Sequence, residues 1–147
     1  MDKLKINHLA VWVAAIIVQV LPPLWYAEIF LGIRWAELNN LTAEDFESFN
    51  VVAGLGLALF SGVAIAYLMA YVFAKMRIES AYEGFKVASL FWLCSIFLEI
   101  ATQNAFTLRS FELTLIDSGV VFVKYEIIGI TLGAWRKYDT SMEAGNR

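Results

Sequence analysis

The stretch VVAGLGLALFSGVAIAYLMAYVFA, Val51–Ala74, decides the fold, because no charged side chain interrupts it. An α-helix needs about 20 mostly apolar residues to cross the roughly 30 Å of hydrocarbon in a lipid bilayer, and this stretch is long enough. The whole chain has the same character: its 147 residues are 60% hydrophobic, and its mean hydropathy is +0.64. Soluble domains contain fewer apolar residues. The sequence therefore predicts an integral membrane protein.

Three further stretches reach the length of a membrane span. Together with the first, the predicted spans cover approximately residues 7–30, 49–74, 85–107 and 113–135. Asp117, Lys124 and Glu126 interrupt the last of them. We predict an all-α membrane protein in which four transmembrane helices form an antiparallel bundle, a single domain over residues 1–147.

Basic residues in the connections predict the orientation, because lysine and arginine concentrate on the cytoplasmic side. The chain ends and the connection between spans two and three carry most of them: Lys3, Lys5, Lys75, Arg77, Arg136, Lys137 and Arg147. The other two connections hold one each, Arg34 and Arg109. Both termini are therefore predicted to be cytoplasmic.

The first outer connection contains a helix start. Thr42 and Asp45 have the spacing of a capping box, with Asp in place of the usual Glu or Gln. Glu44, Asp45 and Glu47 add negative charge where the dipole at a helix N-terminus favours it. We predict that the helix of span two begins near Ala43, outside the lipid.

Span one contains two adjacent prolines within QVLPPLWYAE, Gln19–Glu28. Pro22 and Pro23 have no N–H groups, so the carbonyls of Val18 and Gln19 lose their usual helical donors. Those carbonyls should face the bundle interior, because lipid offers them no partner. We predict a kink that brings Glu28 toward the outer ends of spans three and four. The alternative is a packing kink without contact to a solute.

Glu99 and Lys124 are ionisable residues within spans three and four. A charge at the bilayer centre costs at least about 2.5–3.5 kcal/mol, so each of them needs a partner. At about 1.5 Å of rise per residue, Glu99 lies roughly 12 Å and Lys124 about 17 Å below the outer surface. Side chains point toward the N-terminus of their helix, which closes most of this gap. We predict an ion pair, which either fixes the register of the two helices or takes part in proton-coupled movement.

A polar site is predicted at the outer end of the bundle, where spans one, three and four meet. The residues that reach this level are Glu28, Gln103, Asn104, Arg109 and Asp117. For Glu28, Asn104, Arg109 and Asp117 the alternative is that they are interfacial and contact headgroups and water.

Small residues mark two helix-contact faces. In span two they recur at every fourth position, as at Gly54, Ala58 and Gly62. In span four, Gly129 and Gly133 have the GxxxG spacing that lets another helix approach closely, and Glu126 shares their face. These faces pack either inside the bundle or at a subunit contact.

No residue pattern points to catalysis or to a metal. His8 is the single histidine and Cys94 the single cysteine, which argues against a metal site. Sequence motifs of metalloproteases, phosphate loops and serine hydrolases are missing, and no basic patch suggests nucleic acid. We predict no cofactor, leave open a bound lipid or other apolar ligand, and favour a role other than catalysis.

The segment LWYAEIFLGIRWAELNNLTAED, Leu24–Asp45, resembles a family of small bacterial four-span proteins catalogued as domain of unknown function 1761. The second half is similar too, and LIDSG at Leu115–Gly119 stands where the family tends to read Leu-Ile-Asn-Ala-Gly. The other matching positions are Gly84, Trp92, Gln103, Asn104, Phe106 and Arg109. The resemblance implies a four-span membrane fold and no established activity.

Two functions fit these features. The chain is expected to be a channel or transporter-like protein for a small cation or protonatable solute, with a polar outward-facing site. The alternative is a non-catalytic structural or accessory subunit of a larger membrane complex. Expected partners are the lipid bilayer and either further copies of the chain or other membrane subunits. The expected location is the bacterial inner membrane, which the chain crosses several times.

Overall fold

The apolar stretches of the sequence form four long helices in the computed structural model, which describes residues 4–138. Two short helices lie between the first two long ones. The elements are α1 (His8–Trp25), α2 (Gly32–Asn39), α3 (Ala43–Ser48), α4 (Val51–Met76), α5 (Ala81–Phe106) and α6 (Phe111–Ala134), with strands β1 (Leu4–Lys5) and β2 (Lys137–Tyr138). Lys3 and Arg147, used to predict the orientation, lie outside the described residues.

Helices α1, α4 and α5 are long and apolar enough to cross a membrane. The prediction of a helical protein compatible with a membrane is therefore confirmed. Helix α6 has 24 residues and a comparable length, but Asp117, Lys124 and Glu126 interrupt its apolar character.

The first and last long helices run in opposite directions. Strands β1 and β2 pair in antiparallel fashion, and beside them Asn7 Nδ2 donates a hydrogen bond to the Trp135 carbonyl oxygen over 3.2 Å. At the other end of the bundle, Trp25 Nε1 donates to the Ile116 carbonyl oxygen over 3.0 Å. The two ends of the described chain therefore meet at one end of the bundle.

Glycines let α5 and α6 approach each other closely. A Cβ atom on Gly84 would collide with the carbonyl oxygen of Gly129, and one on Gly133 would collide with that of Ser80. Ala88 also faces Gly129. Backbone contact of this kind is what GxxxG spacing permits. The glycine face of α6 thus packs inside the chain, against α5.

The small residues of α4 have different neighbours along its length. Gly62 faces α1, and the Gln19 side chain lies over it while donating a hydrogen bond to a carbonyl oxygen one turn earlier in α1. Gly54 faces the ring of Phe49, and Ala58 is half-buried. Only part of the small-residue series therefore meets another helix among the described residues.

The two prolines of α1 sit where a helix tolerates them. Val18–Val20 is a 3₁₀ turn, in which the Leu21 N–H donates to the Val18 carbonyl oxygen. The prediction that this carbonyl lacks a donor is therefore wrong. Pro22 and Pro23 occupy the first turn of the α-helical segment that follows, where a helix does not use the N–H groups that proline lacks.

The connection after α1 places its aromatic residues beside α6. Helix α1 ends at Trp25, before the predicted end at residue 30, and the chain then turns into α2. The capping box is present, since the Thr42 N–H donates to Asp45 Oδ2 over 2.7 Å, and a helix starts at Ala43. The prediction that this helix is the one of span two is wrong. That helix is a short separate one, and α4 begins anew at Val51.

Helix α5 contains a π-helical segment, Leu93–Phe97, in which the Leu98 N–H donates to the Leu93 carbonyl oxygen. A π-turn holds one residue more than an α-turn, so every later side chain is rotated by roughly 100° relative to an uninterrupted α-helix. Ile100 and Asn104 consequently face inward, and Glu99 is exposed. This rotation decides which residues of α5 reach the candidate site.

Candidate functional site

The carboxylate of Asp117 lies at the end of the bundle opposite the chain ends. Tyr26 donates its hydroxyl to Asp117 Oδ1 over 3.2 Å, and Trp35 Nε1 donates to the same oxygen over 2.9 Å. The second oxygen, Oδ2, has no hydrogen-bond partner within residues 4–138. Burial and the neighbouring carboxylate raise the pKa of Tyr26, so its hydroxyl remains a donor. One carboxylate oxygen is therefore held in place and the other is available.

Aromatic packing fixes the two donors. The ring centroids of Tyr26 and Trp35 are 4.8 Å apart. Trp25, which donates a hydrogen bond to the Ile116 carbonyl oxygen, packs its indole ring against Gly119. A Cβ atom at position 119 would lie 3.0 Å from this ring. A larger residue at position 119 would push the indole away. The end of α1 is thus attached to α6 on the residues flanking Asp117.

A bidentate ion pair holds α2 against the first turn of α6. Arg34 Nε lies 2.7 Å from Glu112 Oε1, and Nη2 lies 2.6 Å from Oε2. Arg34 Nη1 also donates to Glu37 Oε2 over 3.1 Å. The hydrogen bonds from Arg34 hold the pKa of Glu112 below its ordinary value. Since α2 carries Trp35, the pair stabilises the position of one Asp117 donor.

Asp117 faces a pocket of about 230 Å³ between α5, α6 and their connection. Its lining residues are Ile100, Gln103, Asn104, Thr107, Arg109 and Asp117. Asn104 is 7% exposed and donates its amide to Thr114 Oγ1 over 2.9 Å, which ties this lining residue to α6. The pocket thus contains an acid, a base and two carboxamides.

Arg109 lines this pocket from the connection between α5 and α6. Its Nη1 donates to Asn39 Oδ1, at the end of α2, over 3.0 Å. The structure records no ion pair between Arg109 and Asp117, although both line the pocket. The guanidinium is therefore anchored by a neutral group and keeps most of its donors available.

The structure brings four of the five predicted outer residues together: Gln103, Asn104, Arg109 and Asp117. Glu28 does not join them. It is exposed and lines a neighbouring cavity of about 580 Å³ with Tyr26 and Trp35, the two donors to Asp117. Helix α1 ends at Trp25, so Glu28 lies in the turn after it and not on the helix.

Glu99 and Lys124 do not form the predicted ion pair. Glu99 is exposed and Lys124 is half-buried, and no salt bridge joins them in the described part of the chain. The prediction assumed uninterrupted α-helical periodicity through span three. The π-helical segment rotates Glu99 off that face, so the charge cannot reach α6.

Glu126 lies inside the chain. It is 6% exposed, Ser89 on α5 donates its hydroxyl to Oε1 over 2.8 Å, and Oε2 is buried without a hydrogen-bond partner. Of the two alternatives for the face of this acid, the structure therefore shows packing inside the bundle, between α5 and α6.

Tyr26 and Trp35 belong to this candidate site, although no sequence motif points to them. Both donate to Asp117, 91 and 82 positions away in the chain. The sequence does contain one signal for this contact. Tyr26 and Trp35, two aromatic residues with hydrogen-bond donors, follow one long apolar stretch, and the acid Asp117 interrupts another. Within residues 4–138 no three His, Cys, Asp or Glu side chains are placed to hold a metal ion.

A family model described as "Protein of unknown function (DUF1761)" matches residues 9–133, as the resemblance predicted. Neither the search of curated proteins nor the search of solved structures finds a match.

Proposed function

Because the chain belongs to the DUF1761 family of proteins of unknown function, its role must come from its own geometry, and we propose that it binds and moves a small cationic or protonatable solute at Asp117. It does so as a multi-pass protein of the bacterial inner membrane. Its pocket opens to the outside.

The arrangement of α6 supports a fourth membrane span. It lies against α5 and α1 over its length, from Ile116 near one end to Trp135 at the other. The two acids in the middle of α6 contact other parts of the chain, since Asp117 accepts two hydrogen bonds and Glu126 accepts one. Ionisable residues inside membranes face the bundle interior in this way.

The distribution of basic residues supports the orientation. Lys5, Lys75, Arg77, Arg136 and Lys137 belong to the end where β1 and β2 pair, whereas the Asp117 pocket is at the other end. Lysine and arginine favour the cytoplasmic side. The pocket is therefore assigned to the outer surface.

The observation that carries the proposal is the asymmetry of the Asp117 carboxylate. Two aromatic donors hold Oδ1, while Oδ2 has no described partner and belongs to a residue lining the pocket. An ammonium group or a small cation is the natural partner for a carboxylate oxygen in a partly dehydrated site. A pocket of about 230 Å³ is smaller than the roughly 300–1,000 Å³ of sites for drug-sized ligands, so it suits a small solute.

Uptake into proteoliposomes tests this proposal. Purified protein should accumulate radiolabelled methylamine faster than empty liposomes, and Asp117→Asn should abolish the difference while leaving the elution profile unchanged. The matched control is Glu47→Gln, an exposed carboxylate on α3, which should transport normally. Wild-type uptake equal to that of empty liposomes would refute movement of this solute.

A second candidate is an accessory role, which the outer half of α4 favours. Most residues of this half are exposed, and a Cβ atom on Gly56 would meet nothing within 4 Å. Such a surface admits another helix closely. Native mass spectrometry of protein extracted in mild detergent would support this role if a second chain co-purifies in fixed ratio and Gly56→Leu removes it.

A further inference from the structure

We infer that the solute of the Asp117 pocket is zwitterionic, carrying an anionic group for Arg109 as well as a cationic group for Asp117. This inference rests on the proposed function, because it specifies the chemistry of the same site.

The two charges of the pocket belong to different walls. Asp117 is on α6, where Trp35 and Tyr26 hold one of its oxygens. Arg109 is on the connection between α5 and α6, where Asn39 holds one of its nitrogens. Both side chains are therefore anchored by neutral groups and do not neutralise each other by an ion pair among the described residues.

A ligand with one charge would form a favourable charge interaction with only one of the two charged side chains, Asp117 or Arg109. A simple cation gains from Asp117 and is repelled by Arg109, and a simple anion meets the reverse situation. A solute that carries both charges gains two charge-assisted hydrogen bonds, each stronger than a neutral one. The geometry thus discriminates against ligands that carry only one of the two charges.

The remaining lining groups suit the same ligand. The Gln103 side chain makes no hydrogen bond with a described residue, and Asn104, which also lines the pocket, uses its amide group in a hydrogen bond to Thr114. At about 30 Å³ for each water-sized group, a pocket of about 230 Å³ holds roughly eight such groups. A small amino acid or betaine has this size.

Titration calorimetry in lipid nanodiscs tests the inference with three probes: glycine as the zwitterion, methylamine as the cation and acetate as the anion. Wild-type protein should bind glycine at least about tenfold more tightly than methylamine, since a second charge-assisted hydrogen bond is added. Acetate should bind more weakly than glycine. Glycine binding should also be about tenfold weaker in Arg109→Gln, with methylamine unchanged or tighter.

Two variants separate charge from structure. Arg109→Lys should retain most of the preference for glycine, because the positive charge remains. Lys86→Gln, which removes an exposed cation elsewhere on α5, should behave as wild type.

Equal affinity for glycine and methylamine, or an unchanged ratio in Arg109→Gln, would overturn the zwitterion inference and leave the proposed function standing. If neither probe binds, or if binding persists in Asp117→Asn, the proposed function fails together with the inference.

Discussion

Trp35 Nε1 and the carboxylate of Asp117 are joined by a 2.9 Å hydrogen bond that links α2 to α6 across 82 positions of the chain. The bond orients the carboxylate, because the indole can donate only along its N–H direction. A residue outside the long helices thereby holds one oxygen of Asp117, while Oδ2 has no hydrogen-bond partner among the described residues.

Removal of this donor should weaken solute binding. Trp35→Phe keeps an aromatic ring beside Tyr26 but leaves Asp117 Oδ1 with one hydrogen bond, and a bond to a charged group contributes about 1.5–3 kcal/mol. We expect roughly tenfold weaker methylamine binding by calorimetry. Trp12→Phe, at an exposed tryptophan of α1, is the matched control and should bind normally. Equal affinities in both variants would show that the bond does not organise the site.

The Arg34–Glu112 pair should make stability depend on pH. The pKa of Glu112 is lower in the folded protein than its ordinary value of 4.5, chiefly because Arg34 donates to it. The pair therefore stabilises the fold above that ordinary value, and its contribution is lost as the pH falls through the lower folded value. The difference in melting temperature between wild type and Glu112→Gln should be positive at pH 7 and shrink toward pH 3.

Glu47→Gln is the control for the pH series, since Glu47 is an exposed acid on α3, in the connection that also contains Arg34. Its difference from wild type should stay small across the same range. High salt should reduce the Glu112 effect as well, because both partners are exposed. A Glu112→Gln difference independent of pH would contradict the assignment.

The glycine contact between α5 and α6 should tolerate no side chain. Gly129→Leu places atoms where Ala88 and the Gly84 carbonyl lie, and overpacking of this kind costs about 1–3 kcal/mol or more. Gly56→Leu, which enters open space on α4, should change stability by less than about 0.5 kcal/mol. Thermal unfolding followed by fluorescence-detected size exclusion compares the two. Similar losses in both variants would argue against backbone contact at Gly129.

Thiol labelling should report the proposed topology. In a Cys94→Ser background, Glu47→Cys lies in the first connection and Glu79→Cys lies in the connection between α4 and α5. An impermeant maleimide added to intact cells should label Glu47→Cys and not Glu79→Cys. The reverse pattern would invert the orientation, and labelling of both would remove α4 as a membrane span.

The long apolar helices could be predicted from the sequence because the length and apolar content of a helix that crosses lipid follow directly from the thickness of the bilayer. The capping box was also readable, since both of its partners lie within one turn. The proximity of Gln103, Asn104, Arg109 and Asp117 could also be predicted, because two antiparallel helices place their adjoining ends at the same level.

The side-chain contacts within the site could not be predicted from the sequence. Glu99 was assigned to the wrong face because Leu93–Phe97 is π-helical, and a rotation of this kind depends on packing against α6 rather than on local periodicity. Tyr26 and Trp35 reach Asp117 only because α1 stops at Trp25 and α2 folds back. Such contacts between distant parts of the chain have no short-range signature.

The affinity of methylamine for wild type and Asp117→Asn tests the central claim most directly. Asn is nearly isosteric and can still accept hydrogen bonds from Tyr26 and Trp35, so the variant removes the charge and preserves the contacts. Titration calorimetry in nanodiscs should show at least about tenfold weaker binding in Asp117→Asn, with an unchanged melting temperature. Equal binding by the two folded proteins would contradict the assignment of Asp117 as the solute-binding carboxylate.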